Sequence, residues 1–212
     1  MSTFIKKDVA CPNCGSTKKL TIISAVNSLE NPELKEKILK ESFFDFECPS
    51  CNYRCSLMYP TIYHDPKKGF MVGLYRSGTK GSKVEAPASI NALTKRRVKD
   101  LAELKEKILI FDNNLDDIAV EMVKNAILEV FKKSYENESV KAYFTKTGEN
   151  GGLEFAIFCG KTKTPQYHLS KREVYDNCCE ILRSLNYKEP SGDFLRVGPT
   201  LANELLTKYK NN

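Results

Sequence analysis

The sequence predicts an α+β protein, with a β-rich N-terminal block followed by an α+β C-terminal region. Three observations support this prediction. Residues 1–76 hold two Cys-Pro-x-Cys motifs between segments rich in Thr, Ile, Val and aromatic residues, which favour strands. Residues 77–91 show no hydrophobic period and are rich in Gly, Ser, Pro and Lys, which is typical of a linker or long loop. Residues 92–212 alternate between helical and strand periods.

In the N-terminal block the pattern predicts strands and one short helix. Residues 18–26 suit a strand because Thr, Ile and Val dominate them. Asn31 is expected to cap a helix with Pro32 at its first position, since proline needs no N–H there. Residues 53–63 are predicted to leave the second motif as a strand. After a polar turn, residues 70–75 return, so these two strands form a hairpin.

The C-terminal region reads as a helix pair, a hairpin and further helices. The helices carry apolar residues at helical spacing, and the hairpin strands flank a glycine-rich turn. The elements expected in chain order are a helix capped by Asp100, a helix ending near Phe131, strands over 140–146 and 153–159, a helix opened by a capping box at 170–173, a short strand over 194–197 and a helix from Pro199.

Composition and charge exclude some classes of protein. The chain of 212 residues is 41% hydrophobic, which argues against wholesale disorder. No apolar run approaches the roughly 18 residues that span a bilayer, and no signal-peptide core precedes the first cysteine. We therefore expect a cytoplasmic protein without membrane contact. The net charge of +6 is mild, because 27 acidic residues accompany 33 basic ones, so nucleic-acid binding is permitted but not indicated.

The two Cys-Pro-x-Cys motifs predict a structural zinc site. Cys11 and Cys14 form the first pair, and Cys48 and Cys51 form the second. Two cysteines separated by two residues place both sulfurs on one metal ion, and paired motifs in a reducing compartment favour metal over disulfides. A single pair would also fit a redox motif, but two copies favour Zn²⁺. Four thiolates close a tetrahedral shell, which is typical of structural rather than catalytic zinc.

The spacing of the motifs predicts a zinc-ribbon-like domain with an insertion. Between Cys14 and Cys48 lie 33 residues, more than the about 15–20 of a compact ribbon. The predicted strand and short helix account for the excess. Gly15 and Asn52 follow the motifs, where the chain needs a positive φ to wrap the sulfurs.

The other cysteines and the histidines suggest no second site. Cys55 is close enough in sequence to Cys51 to be an additional metal ligand. The alternation of side chains along residues 53–57 favours instead a half-buried strand in which Cys55 packs against its neighbours. Cys159 and Cys178 are expected to be core thiols, and Cys179 has no assigned place. His64 and Asp65 are most simply interpreted as neighbouring polar residues of a turn.

The sequence contains no nucleophile elbow, phosphate-binding loop, dinucleotide fingerprint or zinc-protease motif. The leading hypothesis is a non-enzymatic zinc-binding protein that binds a protein partner. The alternative is a nucleic-acid-binding zinc ribbon, and a third option is an enzyme whose site is assembled from distant residues. The segment 95–97 (Lys-Arg-Arg) is interpreted as solvated. The candidate partner-binding residues are Tyr53, Arg54, Tyr59 and Tyr63.

The order of motifs resembles the bacterial and archaeal CpXC-domain family. The resemblance rests on CPNCG, the segment NPELKEKIL, then ECPSC and YPTIYHDPKKGF, and it covers roughly residues 8–135. It implies that the metal ligands are Cys11, Cys14, Cys48 and Cys51, all present here. It implies nothing about activity.

Overall fold

A computed structural model describes residues 1–75, 93–135, 139–162, 164–190 and 192–212. Over these residues the chain forms two compact units, Met1–Lys105 and Glu106–Asn212. The units together contain five helices and three sheets, which confirms the predicted α+β class. The linker predicted over 77–91 lies outside the described residues, so the predicted domain boundaries stay a prediction.

The first unit is built on a five-stranded sheet in the order β1-β2-β5-β6-β7. The pairs β1/β2 and β5/β6 are antiparallel, whereas β2/β5 and β6/β7 are parallel. The hairpin predicted between the last two strands is confirmed as β5/β6. The elements that lie wholly in this unit are β1 (Thr3–Ala10), β2 (Thr17–Asn27), α1 (Pro32–Leu39), β3 (Asp45–Glu47), β4 (Arg54–Ser56), β5 (Thr61–Asp65), β6 (Phe70–Leu74) and β7 (Thr94–Val98).

The single strand expected over 53–63 is wrong, because this segment forms β4 and β5 in different sheets. β4 pairs with β3 in a two-stranded sheet, whereas β5 pairs with β2 and β6. Pro60 has no N–H to donate to a ladder, and it stands where the chain changes sheets. This break separates the second cysteine motif from the main sheet.

β7 is a strand that the sequence did not predict. The sequence indicates solvated basic residues in this segment, but the side chains of Lys95 and Arg96 are buried, and of the three cations only Arg97 is exposed. The interpretation failed because β7 pairs in parallel with β6, and the fold covers two of its three cations.

The second unit packs helices against a three-stranded antiparallel sheet in the order β10-β9-β8. The hairpin β8/β9 and the final helix confirm the prediction. None of the helices in the described ranges is long and apolar enough to cross a bilayer. The remaining elements of the chain are α2 (Leu101–Asp112), in which the unit boundary falls, α3 (Asp117–Ser134), β8 (Val140–Thr147), β9 (Leu153–Cys159), β10 (Gln166–Ser170), α4 (Arg172–Ser184) and α5 (Pro199–Lys210).

Two local predictions in the second unit are wrong. The capping box expected at 170–173 does not form, because Ser170 is the buried last residue of β10 and α4 has no side-chain cap. The strand expected over 194–197 is reduced to a single bridge residue, Leu195. At Ser170 tertiary pairing overrides the local signal, because β10 pairs with β9 up to this residue.

The second unit also buries ion pairs that the sequence did not indicate. Lys124 Nζ lies 2.9 Å from Glu106 Oε2 and 2.8 Å from Glu121 Oε2. Glu106 also accepts a hydrogen bond of 2.8 Å from the Phe144 N–H. Lys107 Nζ lies 2.6 Å from Asp117 Oδ2. These five buried side chains of α2 and α3, three acids and two lysines, are therefore all ion-paired within the helix pair.

Candidate metal centre

The first Cys-Pro-x-Cys turn connects β1 to β2. The Cys11 N–H donates to the Ser16 carbonyl at 2.9 Å, and the Gly15 N–H donates to the Cys11 carbonyl at 2.9 Å. Gly15 has a φ of 70°, in the left-handed region that glycine enters without steric cost. These bonds fold the turn so that its two sulfurs lie close together.

The second turn connects β3 to β4 and repeats the pattern. The Cys48 N–H donates to the Tyr53 carbonyl at 2.9 Å, and the Asn52 N–H donates to the Cys48 carbonyl at 2.8 Å. Asn52 has a φ of 55°, and asparagine tolerates this region better than most residues. The positive φ predicted for Gly15 and Asn52 is therefore confirmed at both positions.

The four cysteine sulfurs of these turns form one cluster. Cys11 Sγ lies 3.8 Å from Cys51 Sγ, and Cys14 Sγ lies 3.7 Å from Cys48 Sγ. All four sulfurs lie within 4.8 Å of one another. Four sulfurs placed tetrahedrally at about 2.3 Å from one ion stand about 3.8 Å apart. The spacing of the sulfurs thus matches that of a tetrahedral thiolate site.

The cluster is half embedded in the protein. Cys11 and Cys48 are buried, whereas Cys51 is half-buried and Cys14 is exposed. The buried ring of Phe46 packs against the cysteines. Partly buried apolar side chains complete this small core; they are Leu20, Cys55 and Leu57. One side of the sulfur cluster therefore faces protein and the other faces solvent.

Two polar residues of the first turn contact the sulfurs, and the sequence analysis missed both. Ser16 Oγ lies 3.1 Å from Cys14 Sγ and 3.6 Å from Cys48 Sγ. Asn13 donates from its backbone to Cys11 Sγ at 3.4 Å and from its side chain to Cys51 Sγ at 3.6 Å. Their positions within CPNCGS were the only available signal, since donors beside thiolate ligands stabilise the charged form.

The pKa values of the thiols diverge within the cluster. The hydrogen bond from Ser16 lowers the pKa of Cys48 to about 6 and also lowers that of Cys14. The Asn13 amide lowers the pKa of Cys51, but burial and the neighbouring Cys14 and Cys48 raise it further, to about 11. Adjacent thiolates repel one another, so a cation bound by the four sulfurs would allow all of them to ionise together.

The chemistry and spacing of the donors fit a metal ion with four sulfur ligands. Tetrahedral thiolate sites bind zinc or iron, and four protein ligands leave no position for water or substrate. Within the described ranges no other group of His, Cys, Asp or Glu has metal-ligand spacing. The arrangement is therefore able to bind a metal ion and to join two separate turns.

Three of the four remaining cysteines lie where the sequence predicts. Cys55 packs beside the cluster but does not belong to the four-sulfur group, which agrees with its predicted packing role. Cys159 and Cys178 are buried in the core of the second unit, as predicted. Cys179, which had no assigned place, is half-buried against that same core.

The structure separates the four candidate partner-binding residues. The side chain of Tyr63 is fully buried on the central strand β5, and its hydroxyl donates to Asp65 Oδ2 at 3.4 Å. It therefore offers no surface to a partner, because strand alternation turns it into the core. Tyr59 is half-buried against Phe44, and its hydroxyl accepts from the Ile23 N–H at 3.3 Å.

The other two candidates lie on the surface beside the second turn. The side chain of Tyr53 is 40% exposed. Arg54 is exposed on β4, and its guanidinium lies 3.1 Å from Glu47 Oε2 on β3. Tyr53 and Arg54 are therefore the members of the candidate set that a partner can reach.

His64 and Asp65 form no catalytic pair. They lie in β5 rather than in the turn, and alternation places them on opposite faces of the sheet. Asp65 is buried and accepts from the Lys68 N–H at 3.0 Å, and Lys35 Nζ lies 3.6 Å from its carboxylate. Burial lowers the pKa of His64. These contacts give Asp65 a structural role at the β5/β6 turn.

Comparison with known proteins connects the cluster to a family. A family model described as CpXC protein matches residues 9–124, which include both cysteine turns. Curated proteins and solved structures give no match to the chain. The matched region covers more than half of the 212 residues and contains the four clustered cysteines. The chain therefore belongs to the CpXC family.

Proposed function

We propose that this protein binds one structural Zn²⁺ through Cys11, Cys14, Cys48 and Cys51 and acts without catalysis as a protein-interaction module. The spacing of the four sulfurs carries the proposal, since pairs at 3.7 and 3.8 Å suit a tetrahedral thiolate shell. Four protein ligands leave no site for a metal-activated water, which supports a structural role for the ion. The proposal includes a cytoplasmic location, where such thiols stay reduced.

Metal analysis tests the first part of this proposal. Protein purified without added metal should contain about one zinc per chain, with four sulfurs at about 2.3 Å by X-ray absorption. Cys55→Ser is the matched control, because Cys55 packs beside the cluster without belonging to it. That variant should keep its zinc, whereas Cys48→Ser should lose it. Iron in place of zinc, or an oxygen ligand in the shell, would contradict the proposal.

The partner surface is proposed at Tyr53 and Arg54, next to the second cysteine turn. Both side chains reach solvent, and the turn between Cys48 and Tyr53 holds their backbone in place. Tyr and Arg are enriched among residues that dominate protein interfaces. Arg54 already contacts Glu47, but an exposed ion pair contributes little and is readily exchanged for a partner.

One observation favours nucleic acid as a second candidate partner. Lys6, Lys7, Lys18 and Lys19 are exposed on the β1/β2 ribbon, which ends in the first cysteine turn. A two-stranded ribbon of this kind fits a nucleic-acid groove, and lysines bind phosphates. Alternation divides the four lysines between the two faces of the ribbon, so no single face concentrates the charge. The protein partner therefore remains the leading proposal.

One variant and its matched control test the proposed partner surface. The double variant Tyr53→Ala/Arg54→Ala should lose the partner captured by wild-type protein and keep its zinc. Tyr209→Ala is the matched control, since Tyr209 is 46% exposed on α5 and should not affect capture.

A salt series then distinguishes the nature of the partner. A nucleic acid bound through about six phosphate contacts loses roughly a thousandfold in affinity between 50 and 200 mM salt. Such a loss of affinity, together with weaker binding in Lys6→Ala and Lys18→Ala, would identify the partner as nucleic acid rather than protein.

A further inference from the structure

β10 forms an edge of the three-stranded sheet in the second unit. Over the described residues it pairs with β9 alone, so its other side has no strand beside it. Tyr167 is 66% exposed and Leu169 is 62% exposed on this strand. An uncovered edge with large apolar side chains is a template for pairing with another strand.

The composition of β10 distinguishes it from the other edges. Proteins commonly protect edge strands with charged residues, above all lysine. β10 reads Gln-Tyr-His-Leu-Ser and has no Asp, Glu, Lys or Arg. Every other edge strand that the structure describes carries at least one of these residues; these strands are β1, β3, β4, β7 and β8.

The exposed side chains of β10 continue an apolar row across the outer face of the sheet. Tyr143, Ala156 and Tyr167 are direct neighbours on β8, β9 and β10. The next row on the same face consists of Lys146, Glu154 and Leu169. In this second row Leu169 lies opposite Glu154, and Lys146 Nζ lies 3.6 Å from the Glu154 carboxylate. The first row therefore ends at the open edge with an exposed aromatic ring, and the charges of the second row are already paired.

We propose that β10 pairs antiparallel with β10 of a second copy of this chain and joins two sheets into one of six strands. In the register centred on His168, Tyr167 lies opposite Leu169 of the second copy, and Leu169 lies opposite Tyr167 of the second copy. Aromatic–aliphatic cross-strand pairs of this kind stabilise sheets. The contact is self-complementary about a two-fold axis, as closed dimers require.

Charge supports the second copy as the occupant of this edge. Because β10 has no charged side chain, self-pairing brings no like charges opposite one another. In the six-stranded sheet, a row of side chains on the outer face then continues from one copy into the other. The row begins with Tyr143, Ala156 and Tyr167 of one copy. It continues with Leu169 of the second copy and ends at that copy's Glu154–Lys146 pair. A pairing of one short strand per copy is a small interface, so we expect micromolar affinity.

The oligomeric state of the full, metal-loaded chain tests the proposal. Sedimentation velocity between about 1 and 300 µM, with reductant present, should show a reversible monomer–dimer equilibrium. Leu169→Lys should raise the dimer Kd at least about tenfold, because it adds the charge that protected edges carry. Leu29→Lys is the matched control, since Leu29 is 60% exposed in the first unit. It should leave the dimer Kd unchanged.

A second measurement needs no variant. Amide hydrogen exchange of residues 166–170 in wild-type protein should slow as concentration rises, while exchange in β1 stays constant. A wild type that is monomeric at 300 µM overturns the proposal, as does equal weakening by Leu29→Lys. Protection of residues 166–170 only when another protein is added would assign the edge to a strand of that protein. This result would likewise overturn the proposal that a second copy pairs with β10.

Discussion

Among the residues that the structure describes, three side chains are buried together around the cysteine cluster of the first unit, those of Cys11, Phe46 and Cys48. In the same described ranges, seventeen side chains are buried together in the main core of the second unit, from Ile110 to Ala202. A buried aliphatic or aromatic side chain contributes about 1.5–3 kcal/mol. The second unit therefore has ample apolar burial to offset the entropy of folding. The two cysteine turns have little of it, so a metal ion bound by the four sulfurs would supply much of the stabilisation that holds them together.

The two regions also balance buried charge differently. In the second unit two acids surround Lys124, so the opposite charges are all on protein side chains. In the cysteine cluster the hydrogen bond from Ser16 favours thiolate at Cys48. A cation bound by the four sulfurs would supply the opposite charge there. The comparison predicts that metal removal will affect one region and side-chain substitution the other.

The largest expected effect is the loss of the metal site. Cys48→Ser, or chelation of the wild type, should abolish exchange protection in β3, β4 and the two cysteine turns. The physical reason is that metal binding is folding free energy for such a site, of the order of 10–16 kcal/mol in zinc-finger peptides. Hydrogen exchange should show that β8 and β9 keep their protection.

Cys178→Ser provides the reciprocal control. Cys178 is buried in the core of the second unit, so this variant should lower protection there and leave the zinc content unchanged. Loss of protection along the whole chain in Cys48→Ser would instead show that the two units unfold together.

The next effect concerns the buried ion pairs. Lys124→Met should lower the free energy of unfolding of the second unit by about 3–5 kcal/mol, since it leaves Glu106 and Glu121 without their shared cation. Lys132→Met on the same helix is the control. Lys132 contacts Glu129 on the surface at 3.2 Å, and its loss should change stability by less than about 1 kcal/mol. Urea unfolding of both variants measures the difference.

The loss in Lys124→Met should also depend on pH. Burial raises the pKa of Glu106, and the variant removes the lysine that opposes this shift. A carboxyl whose pKa is raised by folding binds its proton more tightly in the folded state, so stability falls as pH rises above the unfolded pKa. The variant should therefore lose less stability at pH 5 than at pH 8. An equal loss at both values would show that repacking, not charge, dominates.

The smallest effect concerns the backbone of the second cysteine turn. Asn52→Ala should cost about 1–2 kcal/mol because alanine avoids a φ of 55°, whereas Asn52→Gly should cost almost nothing. The loss should appear as roughly 5- to 30-fold weaker zinc binding in a chelator competition. Asn186→Ala tests the same backbone conformation at a φ of 50° in the second unit. It should leave zinc binding unchanged.

The sequence by itself determined the elements whose signals are local. The cysteine spacing predicted a cluster of four sulfurs, and the residues after each motif predicted the positive φ at Gly15 and Asn52. Both follow from the chemistry of a tight turn, which a few neighbouring residues specify. The β8/β9 hairpin and the helices were predictable for the same reason, since hydrophobic period and turn glycines lie close together in the chain.

Only the tertiary structure decided which strands pair and which side chains they bury. β7 and β10 carry polar or basic residues and became strands because β6 and β9 offered their edges. Tyr63 is buried and Tyr53 is exposed because the chain changes sheets between β4 and β5. Lys124 lies between Glu106 and Glu121, one of them on another helix. Strand pairing and buried charge depend on residues distant in sequence, and local propensity is too weak to encode such contacts.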